Sequence, residues 1–480
     1  MKKYKILLLA MCLLAVTSCS KFLEEHNPNR IWTEDFYKTE GDIISAANGA
    51  YASLRGAGYC RDMWLYQDVR SNNTTIQDPG ANSGVNYQFF NYTLLTDNAR
   101  VKARYADLYK CITRCNVVLD HIVDIPFSNE DNKSKVIAEM KFLRALTYFY
   151  LVQDFGEVPV VTKELKTKEE IEEHLFRRPK NEIYNLITSD LETVIGSPLP
   201  DIQMGENTGR ASKAAANALL GKVYLTKAAD PDFINERDTC LQAAKSVLTI
   251  AWNVRQFSNL GDISYSDVFD IATQKQCKEI LFQVMYLNIN SDLSSPFAQY
   301  FQPQGKTGLT SQKSGSGYNI ACPDLVNEYE TGDGRRGLSY GTDGGINYTK
   351  KYTDLTNADG YGANSWIILR YADVALMLAE VKMYLGEVDA ADFLNQVRRR
   401  AGLADISAID RDAIAHERKV EFAFEGHSWN DMKRLYSRAE LFGIQRAKNE
   451  NFSEKDFLLP IPYDEFKLNP EGMYQNFGYN

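Results

Sequence analysis

Residues 370–403 read RYADVALMLAEVKMYLGEVDAADFLNQVRRRAGL, and this stretch decides the fold class. Val374, Leu378, Val381 and Leu385 return at three- and four-residue steps, the period of one face of an α-helix. Gly386 supplies a turn, and Ala391, Leu394 and Val397 repeat the pattern on a second helix. Small residues at Ala379 and Ala391 let two backbones approach, as in tetratricopeptide helix pairs, where each pair buries its apolar face on its neighbour. The spacing between such pairs is not a constant 34 residues, so the repeats are degenerate.

Outward from this hairpin the same pattern recurs. Residues 135–152 carry Val136, Met140, Leu143, Leu146 and Tyr150 on a wide apolar helix face. Residues 210–226 present Ala211, Ala214, Ala215, Ala218 and Leu219, a small-residue surface suited to close helix packing. The chain is therefore expected to be mostly α. Its middle differs: residues 256–365 hold 13 of the 30 glycines, a composition that breaks helices and builds long loops. A rigid scaffold usually places its binding residues on such loops.

The N-terminus has the order of an export signal. Lys2, Lys3 and Lys5 precede an apolar run from about Ile6 to Val16, too short to span the ~30 Å hydrocarbon core of a bilayer. It ends at Val16-Thr17-Ser18-Cys19, which is similar to the lipobox of bacterial lipoproteins. Residues 1–18 then read as a signal peptide, Cys19 as the acylated mature N-terminus, and 19–34 as a tether to one domain over 35–480. Several acyl chains, at about 0.8 kcal/mol per buried CH₂, anchor far better than one.

Loss of the signal takes the formal charge from -9 to -12, which excludes a nucleic-acid binder because phosphate neutralisation needs clustered Lys and Arg. At 44% hydrophobic and 12% aromatic residues, the chain can bury a large core. Cys60, Cys111, Cys115, Cys240, Cys277 and Cys322 are too sparse for a disulfide scaffold. Cys111 and Cys115 are helically spaced but have no histidine nearby, so all six are expected to be free thiols.

An ordered series of motifs resembles the SusD/RagB family of outer-membrane nutrient-binding lipoproteins. It begins with Phe142-Leu143-Arg144-Ala145-Leu146, Phe155-Gly156-Glu157-Val158-Pro159 and the helix start at Gly209-Arg210-Ala211-Ser212-Lys213. It continues through the quoted hairpin, Glu417-Arg418-Lys419-Val420-Glu421-Phe422-Ala423-Phe424-Glu425-Gly426, Asp431-Met432-Lys433-Arg434 and Pro460-Ile461-Pro462, and ends in Asn476-Phe477-Gly478-Tyr479. The resemblance implies a SusD-like fold of about four tetratricopeptide-like helix pairs with the loop-rich region at 256–365 packed against them. It also implies a lipid-anchored protein facing the cell exterior, which binds a glycan without acting on it. A TonB-dependent SusC-like transporter is the implied partner, and no cofactor is called for.

A pyranose presents apolar C–H faces and a rim of hydroxyls, so a glycan site needs aromatic plates beside Asp, Asn, Gln or Arg. Two loops carry that mixture. One runs from Trp64 through Tyr66, Asp68, Arg70 and Asn72 to Tyr87, Phe89, Phe90 and Tyr92; the other holds Tyr286, Tyr300, Phe301 and Tyr318, with Trp366 beyond. The ligand contacts proposed from these are Trp64, Tyr66, Asp68, Asn72, Tyr87, Phe90, Tyr286, Tyr300, Tyr318 and Trp366. Peptides or another nutrient are an alternative cargo, and a pure helical-repeat scaffold is a further alternative.

A hydrolase is a third alternative, because Glu417, Glu421 and Glu425 are four apart and would stack on one helix face at a separation usable by a glycosidase. Arg418, Arg434 and the Arg398-Arg399-Arg400 run favour an ion-paired scaffold there instead. No nucleophile elbow or HExxH site is present, and Gly305-Lys306-Thr307 lacks the earlier glycine of a P-loop. Thr331-Gly332-Asp333-Gly334 and Thr342-Asp343-Gly344-Gly345 offer oxygens to a structural Ca²⁺ but read as solvated turns with too few acids.

Overall fold

The computed structural model describes residues 37–356 and 360–479. The expected signal at 1–18, acylation at Cys19 and tether at 19–34 lie outside the described residues.

Eight helices stack in succession, each packing on the next: α1 (Glu40–Ser53), α2 (Ala99–His121), α3 (Glu130–Phe155), α4 (Lys180–Ile195), α5 (Lys213–Ala229), α6 (Arg237–Asn253), α7 (Tyr371–Tyr384) and α8 (Ala390–Arg400). They make the four degenerate helix pairs. Local chemistry starts them: Thr39 and Asp42 form a reciprocal capping box on α1, Asn98 accepts from the amides of Arg100 and Val101 on α2, and Ser212 accepts from Ala215 on α5. On α5 the small residues act as anticipated. Gly221 lies so close to α6 that an added Cβ would meet the Leu248 side chain.

The quoted hairpin forms α7 and α8, with Gly386 in the left-handed turn at φ 70°. Every residue from Tyr371 to Val381 is buried, so α7 is the axis of the stack rather than an amphipathic surface helix. On α8 the inward small residue is Ala390; Ala391 is half-buried.

Strand pairing ties the long excursion between α6 and α7 to this stack. Strand β1 (Thr74–Thr75) pairs with β3 (Ile320–Ala321), and β2 (Ile280–Val284) pairs antiparallel with β6 (Trp366–Arg370). Because β6 runs directly into α7, that second pair returns the chain beside α6. Strands β4 (Tyr340–Asp343) and β5 (Ile346–Thr349) form a hairpin whose two turn residues, Gly344 and Gly345, have φ 55° and 83°. Helices α9 (Arg411–Glu421), α10 (Ser428–Leu435) and α11 (Arg438–Lys448) close one side, α10 packing against α5.

The described cysteines are free; five are buried and Cys322 is partly exposed. No helix among the described residues is long and apolar enough to cross a membrane.

Candidate ligand-binding face

The β1–β3 pair brings the two aromatic loops together. Gln77 N donates to Gly317 O at 2.8 Å, and Gln304 N donates to Gln77 Oε1 at 2.8 Å. Tyr300 and Tyr318 meet edge to face at 5.4 Å, and Tyr318 stacks on Trp64 at 5.1 Å with the rings 16° from parallel. Asn82 Nδ2 donates to the Tyr318 hydroxyl at 2.6 Å. Asn82, Ser83 and Gly84 all have positive φ, at 53°, 58° and 75°. Backbone strain of that kind costs on the order of 1 kcal/mol or more per non-glycine residue and tends to collect at ligand sites. Tyr87 and Phe90, both half-buried, lie 5.4 Å apart on the short helix Tyr87–Asn91.

Polar groups flank the rings. Arg100 Nη1 donates to Asp62 Oδ2 at 2.8 Å and Nε to Asn86 Oδ1 at 2.9 Å. Burial pushes the Asp62 carboxyl up to about 6 even with Arg100 beside it, and both charges act on the Tyr300 and Tyr318 phenols. Asn82, Asp62 and Arg100 were not among the residues expected from the sequence. The Asn-Ser-Gly triplet at 82–84, a left-handed turn composition, is a signal that could have marked Asn82; nothing local marks Asp62 or Arg100.

Six expected contacts turn out to be scaffold. Trp64, Tyr66, Tyr286 and Trp366 are at most 1% exposed, Asp68 is fully buried and Asn72 is 5% exposed. The reason in each case is a specific partner. Trp64 is the plate beneath Tyr318; Trp366 stacks on Tyr352 at 5.3 Å; Tyr286 meets Phe297 edge-on at 5.6 Å. Tyr66 donates to Arg100 O at 2.9 Å and its ring underlies the Arg104 guanidinium. Asn72, at φ 56°, donates to Phe90 O at 2.9 Å and so props the loop. Asp68 accepts from Gly426 N at 3.1 Å and Ser428 Oγ at 2.9 Å, joining the N-terminal segment to the turn before α10. Of the expected set, Tyr87, Phe90 and Tyr300 are half-buried and Tyr318 is the most covered at 9% exposed.

The three glutamates belong to a buried ion network. Glu417, Glu421 and Glu425 are at most 1% exposed. Helix α9 ends at Glu421, and Glu425 lies past it in the turn where Phe424 and Gly426 take φ 69° and 75°, so the three do not share a helix face. Glu421 pairs with Arg335 at 3.0 Å, with Arg370 at 2.6 Å and with Arg400. Those cations hold its carboxyl far below the usual range. Glu425 is paired by Arg370 at 2.8 Å and Lys351 at 2.7 Å, and Glu417 by Arg335 at 2.5 Å and Arg398 at 3.3 Å. Arg418 and Arg434, expected near these glutamates, turn the other way, to Asp373, Asp431 and Glu380.

The two Gly-Asp turns also have prior partners. Asp333 pairs with Arg335 at 2.7 Å, and Asp343, at the β4–β5 turn, pairs with Lys306 at 3.1 Å.

With this geometry in place, comparison with known proteins is informative. Residues 340–479 match the family profile described as "SusD family", and residues 21–225 match one described as "Starch-binding associating with outer membrane". A SusD-like protein P2 of Formosa agariphila is 30% identical, the alignment covering 100% of both chains. The chain belongs to the SusD family. Among solved structures, a "Laminarin binding SusD-like protein" is similar to this SusD-family chain at 25% identity and a TM-score of 0.76, covering 92% of this chain and 100% of that one. Surface glycan-binding protein A from Bacteroides thetaiotaomicron, solved with laminarihexaose, shares the fold at 20% identity and a TM-score of 0.76 over 92% of this chain and 100% of that one.

Proposed function

We propose that this SusD-family chain binds an oligo- or polysaccharide on the face formed by Tyr87, Phe90, Tyr300 and Tyr318, without chemical change to the ligand. The observation that carries the reading is the zipping of the two loops, which sets aromatic edges beside Asn82 and the Asp62–Arg100 pair. Ring faces cover the C–H surface of a pyranose, and the Asn82 amide and the Arg100 guanidinium meet its hydroxyls, with the buried Asp62 carboxyl holding Arg100 from behind. Similarity to glycan-binding SusD-like proteins supports a sugar as the cargo. The burial and pairing of Glu417, Glu421 and Glu425 argue against hydrolysis at that cluster.

The signal-like N-terminus and Cys19 support lipid anchorage at the outer membrane, facing outward, and the family profile associated with the outer membrane agrees with that location. Delivery to a TonB-dependent SusC-like transporter completes the role. A glycan panel including laminarin tests the reading, with Tyr300→Ala and Tyr87→Ala as variants. Each lost ring–sugar contact is expected to weaken binding about two- to twelvefold, taking aromatic contacts at about 0.5–1.5 kcal/mol. Full affinity in both variants refutes the assigned face; peptide binding with no glycan binding replaces the cargo.

A further inference from the structure

A cavity of about 760 Å³ lies away from the aromatic loops, between the C-terminal end of α3, the first residues of α4 and α11, and the segment 474–477. That volume is within the range of about 300–1,000 Å³ common for small-molecule sites. Two aromatic side chains stand at it with free surface: Tyr474 is 42% exposed and Phe477 is 78% exposed.

Most cations of its wall are neutralised. Lys180 pairs with Asp230 at 2.6 Å and with Asp232, Arg434 pairs with Glu380 and Asp431, and Arg438 pairs with Glu454. Lys433 and Arg177 differ. The Lys433 ammonium donates to Gln153 O and pairs with no carboxylate among the described residues. Arg177 donates only to carbonyl oxygens, those of Glu157, Tyr474, Phe155 and the Asn476 side chain, at 2.7–3.0 Å. An ammonium has three donors and a guanidinium five, so Lys433 keeps two and Arg177 one without a protein acceptor.

The surroundings of Lys433 are otherwise committed. Arg70 and Lys180, both positive, act on it. The two nearby carboxylates are Asp154, held by Arg104 at 2.9 Å, and Asp230, held by Lys180. Glu157 lies on the same wall and engages the Tyr474 hydroxyl. A half-enclosed ammonium with spare donors, in a cavity whose wall also carries Arg177, calls for an anionic group, since a charge-assisted hydrogen bond is about twice as strong as a neutral one.

We propose that this cavity is a second binding site, for a carboxylate-bearing pyranose, with the carboxylate on Lys433 and the ring's apolar face on Phe477, while Arg177, stacked over the Tyr474 ring at 4.4 Å, adds positive charge to the wall. The site is independent of the aromatic-loop face. Burial and Arg70 push the Lys433 ammonium down to about 7, so the charge that binds a uronate is present below that value and is lost as the pH rises above it.

Calorimetric titration with trigalacturonate, with maltotriose as the neutral counterpart and sodium sulfate as a bare anion, tests this. Trigalacturonate is expected to bind at pH 6 and at least tenfold more weakly at pH 9. Lys433→Met should weaken binding at pH 6 at least tenfold, and Lys433→Arg should restore it to within about threefold. Phe477→Ala, at an exposed position, serves as the second variant and should weaken binding about threefold with thermal stability unchanged. Tyr300→Ala, on the other face, should leave trigalacturonate binding intact. Unchanged affinity in Lys433→Met, equal binding of maltotriose, competition by sulfate at equal strength, displacement by an acidic peptide at lower concentration, or loss only in Tyr300→Ala would each overturn the proposal.

Discussion

Replacing Glu421 by glutamine keeps the shape of the side chain and removes the charge that three buried guanidiniums share. Arg335, Arg370 and Arg400 all pair with this one carboxylate, and every member is at most 3% exposed. At an effective dielectric constant of about 20, a single pair about 3 Å apart is worth roughly 5 kcal/mol in Coulomb energy before desolvation is counted. Measured costs of breaking a buried pair by removing one partner run at about 3–5 kcal/mol, because the remaining charge stays buried. Here Glu279, Glu417, Glu425 and Asp333 stay behind to hold the same arginines, so a loss of about 4 kcal/mol is expected. At about 2.1 cal/mol/K per residue over about 440 residues, that corresponds to a fall in Tm of about 4 °C.

Thermal unfolding followed by far-UV circular dichroism, at one scan rate for all variants, reads this directly. Glu172→Gln is the matched control: the same chemical change on a carboxylate that is 58% exposed and paired only with Lys168, expected to shift Tm by less than about 1 °C. If the two variants shift equally, or if Glu421→Gln unfolds within 1 °C of the parent, the buried network is not what holds this part of the fold. Oligosaccharide release by the parent protein that disappears in Glu421→Gln would overturn the binding-only reading as well.

Four further outcomes are expected. The Asp68 carboxyl is raised to about 7 by burial, so the native state holds a proton that the unfolded chain has already released above about 4. Its stabilising contribution is complete below about 4 and is lost as the pH rises toward 7. Asp68→Asn should therefore gain Tm relative to the parent at pH 8 and lose that gain by pH 5, and a pH-independent difference would contradict it. Gly58→Ala would drive a Cβ into the Ala103 carbonyl of α2 and is expected to cost about 3 kcal/mol in denaturant titrations. Gly49→Ala, inside α1 with open space around it, should gain about 0.5–1 kcal/mol in the same assay. Cys19→Ser should move the protein from the detergent phase to the aqueous phase on cloud-point partition of cells, and retention in the detergent phase would refute acylation at that residue.

The helix pairs were legible in residues 370–403 because helical periodicity is a local property, although α7 is buried all round from Tyr371 to Val381 and not only along the Val374, Leu378 and Val381 stripe. The glycine-rich middle was legible in the same way, as composition unable to support long helices. The glutamates marked the limit of that reasoning. A four-residue step places Glu425 on the face of Glu421 only if the helix continues, and it ends at Glu421 before the left-handed turn at Phe424 and Gly426. Two of the cations that occupy the cluster, Arg335 and Arg370, come from 86 and 51 residues earlier in the chain.

Aromatic content likewise marked the loops without telling plate from contact. Trp64 and Tyr318 carry the same chemistry in the sequence, yet one lies beneath the other. The sequence by itself determined the helical class, the paired repeats, the family and the positions of the long loops, all of which depend on neighbours a few residues away. Which rings keep a free face, which carboxylates are neutralised and where two cations remain without a carboxylate were decided only by the tertiary structure, because burial and charge pairing depend on residues brought together across hundreds of positions.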